Sequence, residues 1–266
     1  MLSQHAKDFL KILEHLRPSK NAYEIFSDWL IIAAALLYSW KQDAAVEDEY
    51  MQTAKQYKPE EIDKHIQLLD ITVNALEKPG QDFLGEVFTE ANLANAKSGQ
   101  FFTPHHVSLM TAKMIIGENE LPAGRVCKIN DPACGAGGML IAGAMVMKER
   151  GFDFQNNALF IGQDIDPRCA RMAFIQLSLL GVPAVIYCMD ALTMQEYWHR
   201  ETIGYHLAGM EWRLRTEKLL EIIGETEIAS KQPESNLEAI KSNSEAIPEL
   251  GEITLPRREL AQGELF

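Results

Sequence analysis

The residues with the greatest capacity for chemistry in this 266-residue sequence are aspartates that end apolar runs. The first opens a glycine-rich turn, Asp131-Pro132-Ala133-Cys134-Gly135-Ala136-Gly137-Gly138. Glycines there let backbone approach a ligand closely, and a helix starting just after offers free N–H groups. A turn of this kind also serves packing alone in many α/β folds. Twenty-nine residues beyond Gly135, the run Ile161-Gly162-Gln163-Asp164-Ile165-Asp166 places a second carboxylate. At the tip of a strand beside the glycine turn, Asp164 could accept both hydroxyls of a ribose; the plain alternative is a solvated strand end. Asp166 is the neighbouring candidate, although Asp166-Pro167 also reads as a helix N-cap with proline at the first helical position. The third run ends Cys188-Met189-Asp190-Ala191-Leu192, where Asp190 could accept a hydrogen bond from an adenine amino group. Asp131, Asp164 and Asp190 on one rim make a consistent nucleoside site, as expected at the carboxyl ends of parallel strands.

Upstream lies Ser98-Gly99-Gln100-Phe101-Phe102-Thr103-Pro104. Thr103-Pro104 is a helix start, an N-cap followed by proline in the first turn. That reading leaves the glycine and two aromatics unexplained. The turn could set the Thr103 hydroxyl and free N–H groups on a carboxylate while Phe102 covers an apolar part of a ligand.

These residues need a parallel sheet to bring them together. Val126 to Asn130, Ala158 to Asp164 and Ala184 to Met189 read as strands, and Met139 to Arg150 and Pro167 to Leu180 as helices. Strand, helix, strand, helix, strand at this spacing predicts a βαβαβ unit with strand order 3-2-1, half of a doubly wound fold. Residues 1–80 read as a helical domain. Ala6, Phe9, Leu10, Leu13 and Leu16 recur at helical spacing before Pro18, and Asn21 and Glu24 have capping-box spacing. Ile62, Ile66, Leu69, Val73 and Leu76 form another stripe, ended by Pro79-Gly80, and Phe83, Val87 and Phe88 begin a short helix. Residues 81–224 make the sheet-bearing domain, with Met210 to Ile223 helical. Residues 225–266 hold nine Glu against four Lys or Arg and read as an acidic, mostly disordered tail.

Composition limits the partners. The net charge is −13, unsuited to gripping DNA phosphates unaided. The four cysteines lack Cys-x-x-Cys spacing and an accompanying His pattern, so no metal site is expected and a reduced cytoplasmic setting fits. The N-terminus does not read as a signal peptide. The most apolar run, Trp29 to Leu37, is about half a membrane span and reads as a buried helix, so no membrane contact is expected.

In order, GQFFTP, DPACGAGG, GQDIDPRCARM and MDAL resemble the adenine-N6 DNA methyltransferases, above all the modification subunits of type I restriction–modification systems. The resemblance spans about residues 80–195. It implies a class I, Rossmann-like methyltransferase fold and S-adenosylmethionine as cofactor. It places Phe102 and Thr103 on the methionine part. Asp131, Ala133, Gly135 and Gly137 would hold the methionine end and sugar. Asp164 falls to the ribose hydroxyls and Asp190 to the adenine amino group, and their neighbours Ile165 and Ala191 count among the cofactor-binding positions.

The family's catalytic motif is Asn or Asp, then Pro-Pro and an aromatic, at the end of strand four. Its aromatic stacks a flipped adenine, while the side chain and a proline carbonyl orient the amine. This sequence has eleven prolines and no adjacent pair, and no Asp after Asp190. Thr193 to Met210 offers Tyr197, Trp198, Tyr205 and His206, which could stack a base or simply cover a sheet edge. No catalytic residue is therefore assigned. The fold is expected to be truncated, and methylation to need a protein partner that supplies the base pocket and DNA recognition, leaving direct DNA contact weak. The alternative is a non-catalytic cofactor-binding protein, a regulator or decoy of a restriction–modification or mobile-element system.

Overall fold

The computed structural model describes residues 2–16, 20–77, 81–91, 102–116, 125–211, 213, 214 and 218. The expected stops at Pro18 and Pro79-Gly80, the segment Ser98 to Phe101, the acidic tail and most of Met210 to Ile223 lie outside these residues.

Six helices precede the sheet: α1 (Gln4–Leu16), α2 (Ala22–Tyr38), α3 (Ala44–Ala54), α4 (Pro59–Leu76), α5 (Phe83–Glu90) and α6 (His105–Ile116). The capping box forms as expected: Glu24 N–H donates to Asn21 Oδ1 at 2.9 Å and Asn21 N–H to Glu24 Oε2 at 3.3 Å. With the 3-10 turn after it, α2 is long and apolar enough to cross a bilayer. Half of that stretch is buried, with Ile25, Phe26, Trp29 and Leu30 packed among the other helices. The α4 stripe differs from the sequence expectation. His65, Leu68, Thr72, Ala75 and Leu76 are buried, whereas Ile66 and Val73 are exposed.

The sheet contains β1 (Cys127–Asp131), β2 (Ala158–Asp164), β3 (Ala184–Asp190) and β4 (Gln195–Glu201) in the order β1-β2-β3-β4. The first three are parallel, joined by α7 (Gly138–Glu149), a short α8 (Phe154–Asn157) and α9 (Pro167–Leu179), so the βαβαβ expectation holds. Register sets Asp131 beside Gly162 and Asp164 beside Cys188, which aligns the strand ends on one rim. β4 is a departure: it returns antiparallel along β3, pairing Asp190 with Gln195 and Val185 with Glu201, before α10 (Ile203–Leu207). Among the described residues no strand pairs with the other edge of β1.

The main core unites Ala158, Phe160, Ala184 and Ile186 with α7, α9 and the N-terminal helices. Aromatic rings run through it toward the strand ends. Phe9 meets Trp29 edge-on at 5.0 Å, Phe26 lies 5.8 Å from Phe88, and Phe88 lies 5.2 Å from Phe102. Each fully buried aromatic contributes about 1.5–3 kcal/mol relative to exposure, so the helical region supports Phe102 through packing. A smaller cluster of Val126, Leu159, Val185 and Met210 lies apart from this core.

Candidate functional site

The glycine turn is pinned at several points. Cys134 N–H donates to the Gln163 carbonyl at 2.8 Å, tying the turn to β2, and Gly137 N–H donates to the Cys134 carbonyl at 2.8 Å. Gly135 and Gly137 have φ of +54° and +91°, the left-handed region that favours glycine. A Cβ on Gly135 would stand 3.0 Å from the Phe102 ring, so Phe102 closes directly over the turn. Gly137 caps α7 and packs against Ala173 at its rear.

Asp164 is the hinge of the arrangement. Its Oδ2 accepts from Gly135 N–H at 2.9 Å and its Oδ1 from Asp166 N–H at 2.8 Å. Burial pushes this carboxyl up and the nearby Asp166 and Asp131 charges add to that, while the two amide bonds oppose it. Asp131 Oδ1 accepts from Ala133 N–H at 3.1 Å, and burial raises this carboxyl too. Asp166 is the N-cap of α9, its Oδ1 accepting from Arg168 N–H at 2.9 Å with Pro167 next, as the sequence predicts.

A cleft of about 310 Å³ opens between these groups, near the lower end for small-molecule sites. Phe102, Thr103, Asp131, Ala133, Gly135, Asp164 and Ile165 all line it. Gly137 stands behind them as a backbone support. Asp190 and Ala191 do not line it. Asp190 instead forms a tight turn, its Oδ1 accepting from Leu192 N–H at 2.9 Å and Thr193 N–H at 3.2 Å, and these bonds hold its carboxyl below the usual range. The helix near Thr103 begins one residue later than its sequence predicts. α6 starts at His105, and the Pro104 carbonyl accepts from Ser108 N–H at 3.1 Å, so Pro104 occupies the cap position.

Sequence reasoning missed Asp82 and Ser108, both of which line the cleft. Asp82 is the N-cap of α5, its Oδ1 accepting from Gly85 N–H at 2.9 Å and from Gln176 Nε2 at 2.8 Å. Gln176 also donates to the Ala136 carbonyl at 2.8 Å, locking α5, α9 and the glycine turn together. Its cap position before Phe83 was the available signal; Ser108, inside α6, had none. Cys134 and Cys169 line the cleft as well, and burial raises both thiols well above their usual range, so they stay protonated and unreactive. Among the described residues no group of three or more His, Cys, Asp or Glu is disposed to hold a metal ion.

The arrangement offers carboxylate acceptors for hydroxyls, a glycine turn for close approach and an aromatic cover. Similarity to known proteins agrees. Residues 81–216, about half of the chain, match the family described as N-6 DNA methylase. A stretch of 109 residues is 30% identical to the type I restriction enzyme MjaIX methylase subunit of Methanocaldococcus jannaschii. That stretch is 41% of this chain and 18% of the relative, so the match covers under a fifth of that protein's length. With its mostly parallel sheet and motif-bearing strand ends, this chain belongs to the N-6 DNA methylase family.

Proposed function

We propose that the cleft binds S-adenosylmethionine and that these 266 residues are the cofactor-holding part of a restriction-type adenine-N6 methylation system. The observation that carries this reading is the convergence of Asp131, Gly135 and Asp164 beneath Phe102 at the ends of β1 and β2. The residues fit the cofactor on structural grounds. Ser108 is fully buried with no hydrogen-bond partner for its Oγ among the described groups, so the cleft retains unused polar capacity. Each Asp164 oxygen accepts one amide and keeps a second lone pair for a ribose hydroxyl. Ile165, 59% exposed, offers an apolar face at the cleft mouth for the adenine ring.

When bound, S-adenosylmethionine supplies a methyl group already activated as a sulfonium. The protein's task is then to hold the donor in a fixed direction and exclude competing poses. Phe102 covers the glycine turn, and Asp164 fixes both the turn and the sugar. Asp190 and Ala191, which lie outside the cleft lining, would meet the adenine only after a local adjustment of the β3 end.

No Asn/Asp-Pro-Pro-aromatic motif occurs in the sequence, and the charge is −13. The base pocket and DNA contacts are therefore assigned to a protein partner, in a reduced, cytoplasmic setting. The test pairs calorimetry with transfer of labelled methyl to DNA. Heat on adding S-adenosylmethionine, with no label reaching DNA, is expected. Absence of heat at high protein concentration rejects the cofactor reading, and label in DNA from this chain alone rejects the need for a partner. The alternative role as regulator or decoy gains ground if the cofactor binds yet no restriction–modification partner restores transfer.

A further inference from the structure

We propose that Asp82 and Ser108 form the inner wall of the cleft as a receptor for a primary ammonium group, the amino-acid end of the methyl donor. This rests on the S-adenosylmethionine reading and assigns to it two residues that the motifs do not include.

Three carboxylates, those of Asp82, Asp131 and Asp164, line the cleft, and none of the described lining residues is Lys or Arg. Such a lining favours a cationic ligand. Asp82 is the most enclosed of the three, only 9% exposed. Burial pushes the Asp82 carboxyl up, so its charged form needs a cation beside it, and a cap alone does not require a carboxyl, since Asn or Ser caps a helix without charge. Both of its hydrogen bonds fall on Oδ1. Its Oδ2 turns toward Gly138 at the start of α7, 2.8 Å from where a Cβ would stand. Glycine at that position, like Gly85 on the other contact, makes the room this oxygen occupies. The nearby His105 is no lasting counter-ion, because burial lowers its affinity for a proton.

Ser108 supplies the independent observation. It lines the same cleft from α6, is fully buried, and its Oγ has no partner among the described groups. An ammonium group has three N–H donors and no acceptor. A carboxylate oxygen and a hydroxyl oxygen lining the same cleft take two of them.

The test compares three probes on the full 266-residue chain by calorimetry. S-adenosylmethionine and S-adenosylhomocysteine carry the ammonium, and 5′-methylthioadenosine lacks the whole amino-acid end. Wild type is expected to bind S-adenosylhomocysteine at least tenfold more tightly than 5′-methylthioadenosine. Asp82→Asn keeps the cap and should erase most of that difference, weakening the two amino-acid-bearing probes tenfold or more and 5′-methylthioadenosine less than twofold. Ser108→Ala should follow the same pattern, about threefold. The assignment is overturned if wild type holds 5′-methylthioadenosine as tightly as S-adenosylhomocysteine, or if the variants weaken all probes equally. Binding of 5′-methylthioadenosine in either case preserves the cofactor reading. Silence with all three probes removes that reading and this assignment with it. Should Asp82→Asn lack cooperative unfolding, the wild-type comparison and Ser108→Ala decide the question.

Discussion

Replacing Asp164 with alanine separates support of the glycine turn from recognition of a ribose. In the protein each Asp164 oxygen accepts one backbone amide, at 2.9 Å from Gly135 and 2.8 Å from Asp166. Losing both acceptors strands two N–H groups. Gly135 borders an open cleft where water can replace the oxygen, whereas Asp166 is buried. Release of a buried charge offsets part of the loss, so stability should fall by only about 1 kcal/mol, within the usual range for an unsatisfied group. Binding should suffer more. Two hydroxyls donating to a charged acceptor are worth about 1.5–3 kcal/mol each. Because both oxygens are already shared with amides, the lower end applies, about 3 kcal/mol, or roughly a hundredfold in Kd. Urea denaturation reads the first quantity and calorimetry with S-adenosylmethionine the second. The loss must appear equally with 5′-methylthioadenosine, which retains the ribose. A folded Asp164→Ala protein whose Kd moves less than threefold refutes the ribose assignment.

Two further outcomes concern charge. Glu49 on α3 bridges Arg171 on α9 and Arg200 on β4, two guanidinium groups buried around Trp198. Glu49→Ala leaves both uncompensated. Because Glu49 is itself partly exposed, the cost should be about 2–3 kcal/mol, below that of a fully buried pair; an unchanged urea midpoint would contradict this. At Asp131 burial raises the folded carboxyl above its ordinary value of 3.8, so the folded state binds its proton more tightly than the unfolded one. Ionisation therefore costs stability as pH rises above that value. Asp131→Asn, which keeps the acceptor for Ala133 N–H, should stabilise the protein at pH 7 and lose that advantage below about pH 4, seen in denaturation midpoints across pH.

Local signals in the sequence located much of the fold. β2 ends at the expected Asp164, the Asp166-Pro167 cap starts α9, and the Asn21 and Glu24 box starts α2. Where a polar side chain can bond back to a carbonyl of its own helix, such reading failed. His65 and Thr72 sit on the buried face of α4 because the His65 ring bonds the Glu61 carbonyl at 2.8 Å and Thr72 Oγ1 donates to the Leu68 carbonyl at 2.8 Å. That freed Ile66 and Val73 for the exposed side and shifted the stripe. Part of the cleft was hidden for a different reason. Asp82 reaches it through Gln176, 94 residues away, and no spacing rule encodes such a contact.

β4 joins these two causes. Along Tyr197–Arg200 the side chains do alternate: Trp198 and Arg200 are the more buried, and Tyr197 and His199 are exposed. Because one inward residue is an arginine, the period of two carries no hydrophobic contrast, and the segment does not read as a strand. Arg200 can face inward only because Glu49, 151 residues earlier, meets it there, and because Trp198 and Tyr38 stack on its guanidinium. The same contacts fix β4 on β3, and Tyr38 adds a bond from its hydroxyl to Glu201 at 3.0 Å. A segment held in this way is not available to lie beside β1. Residues 195–201 therefore cannot supply, in this arrangement, the strand that carries the base-orienting motif in the related methyltransferases. This gives a structural reason, separate from the missing Pro-Pro and from the net charge, to seek the base pocket outside residues 195–201.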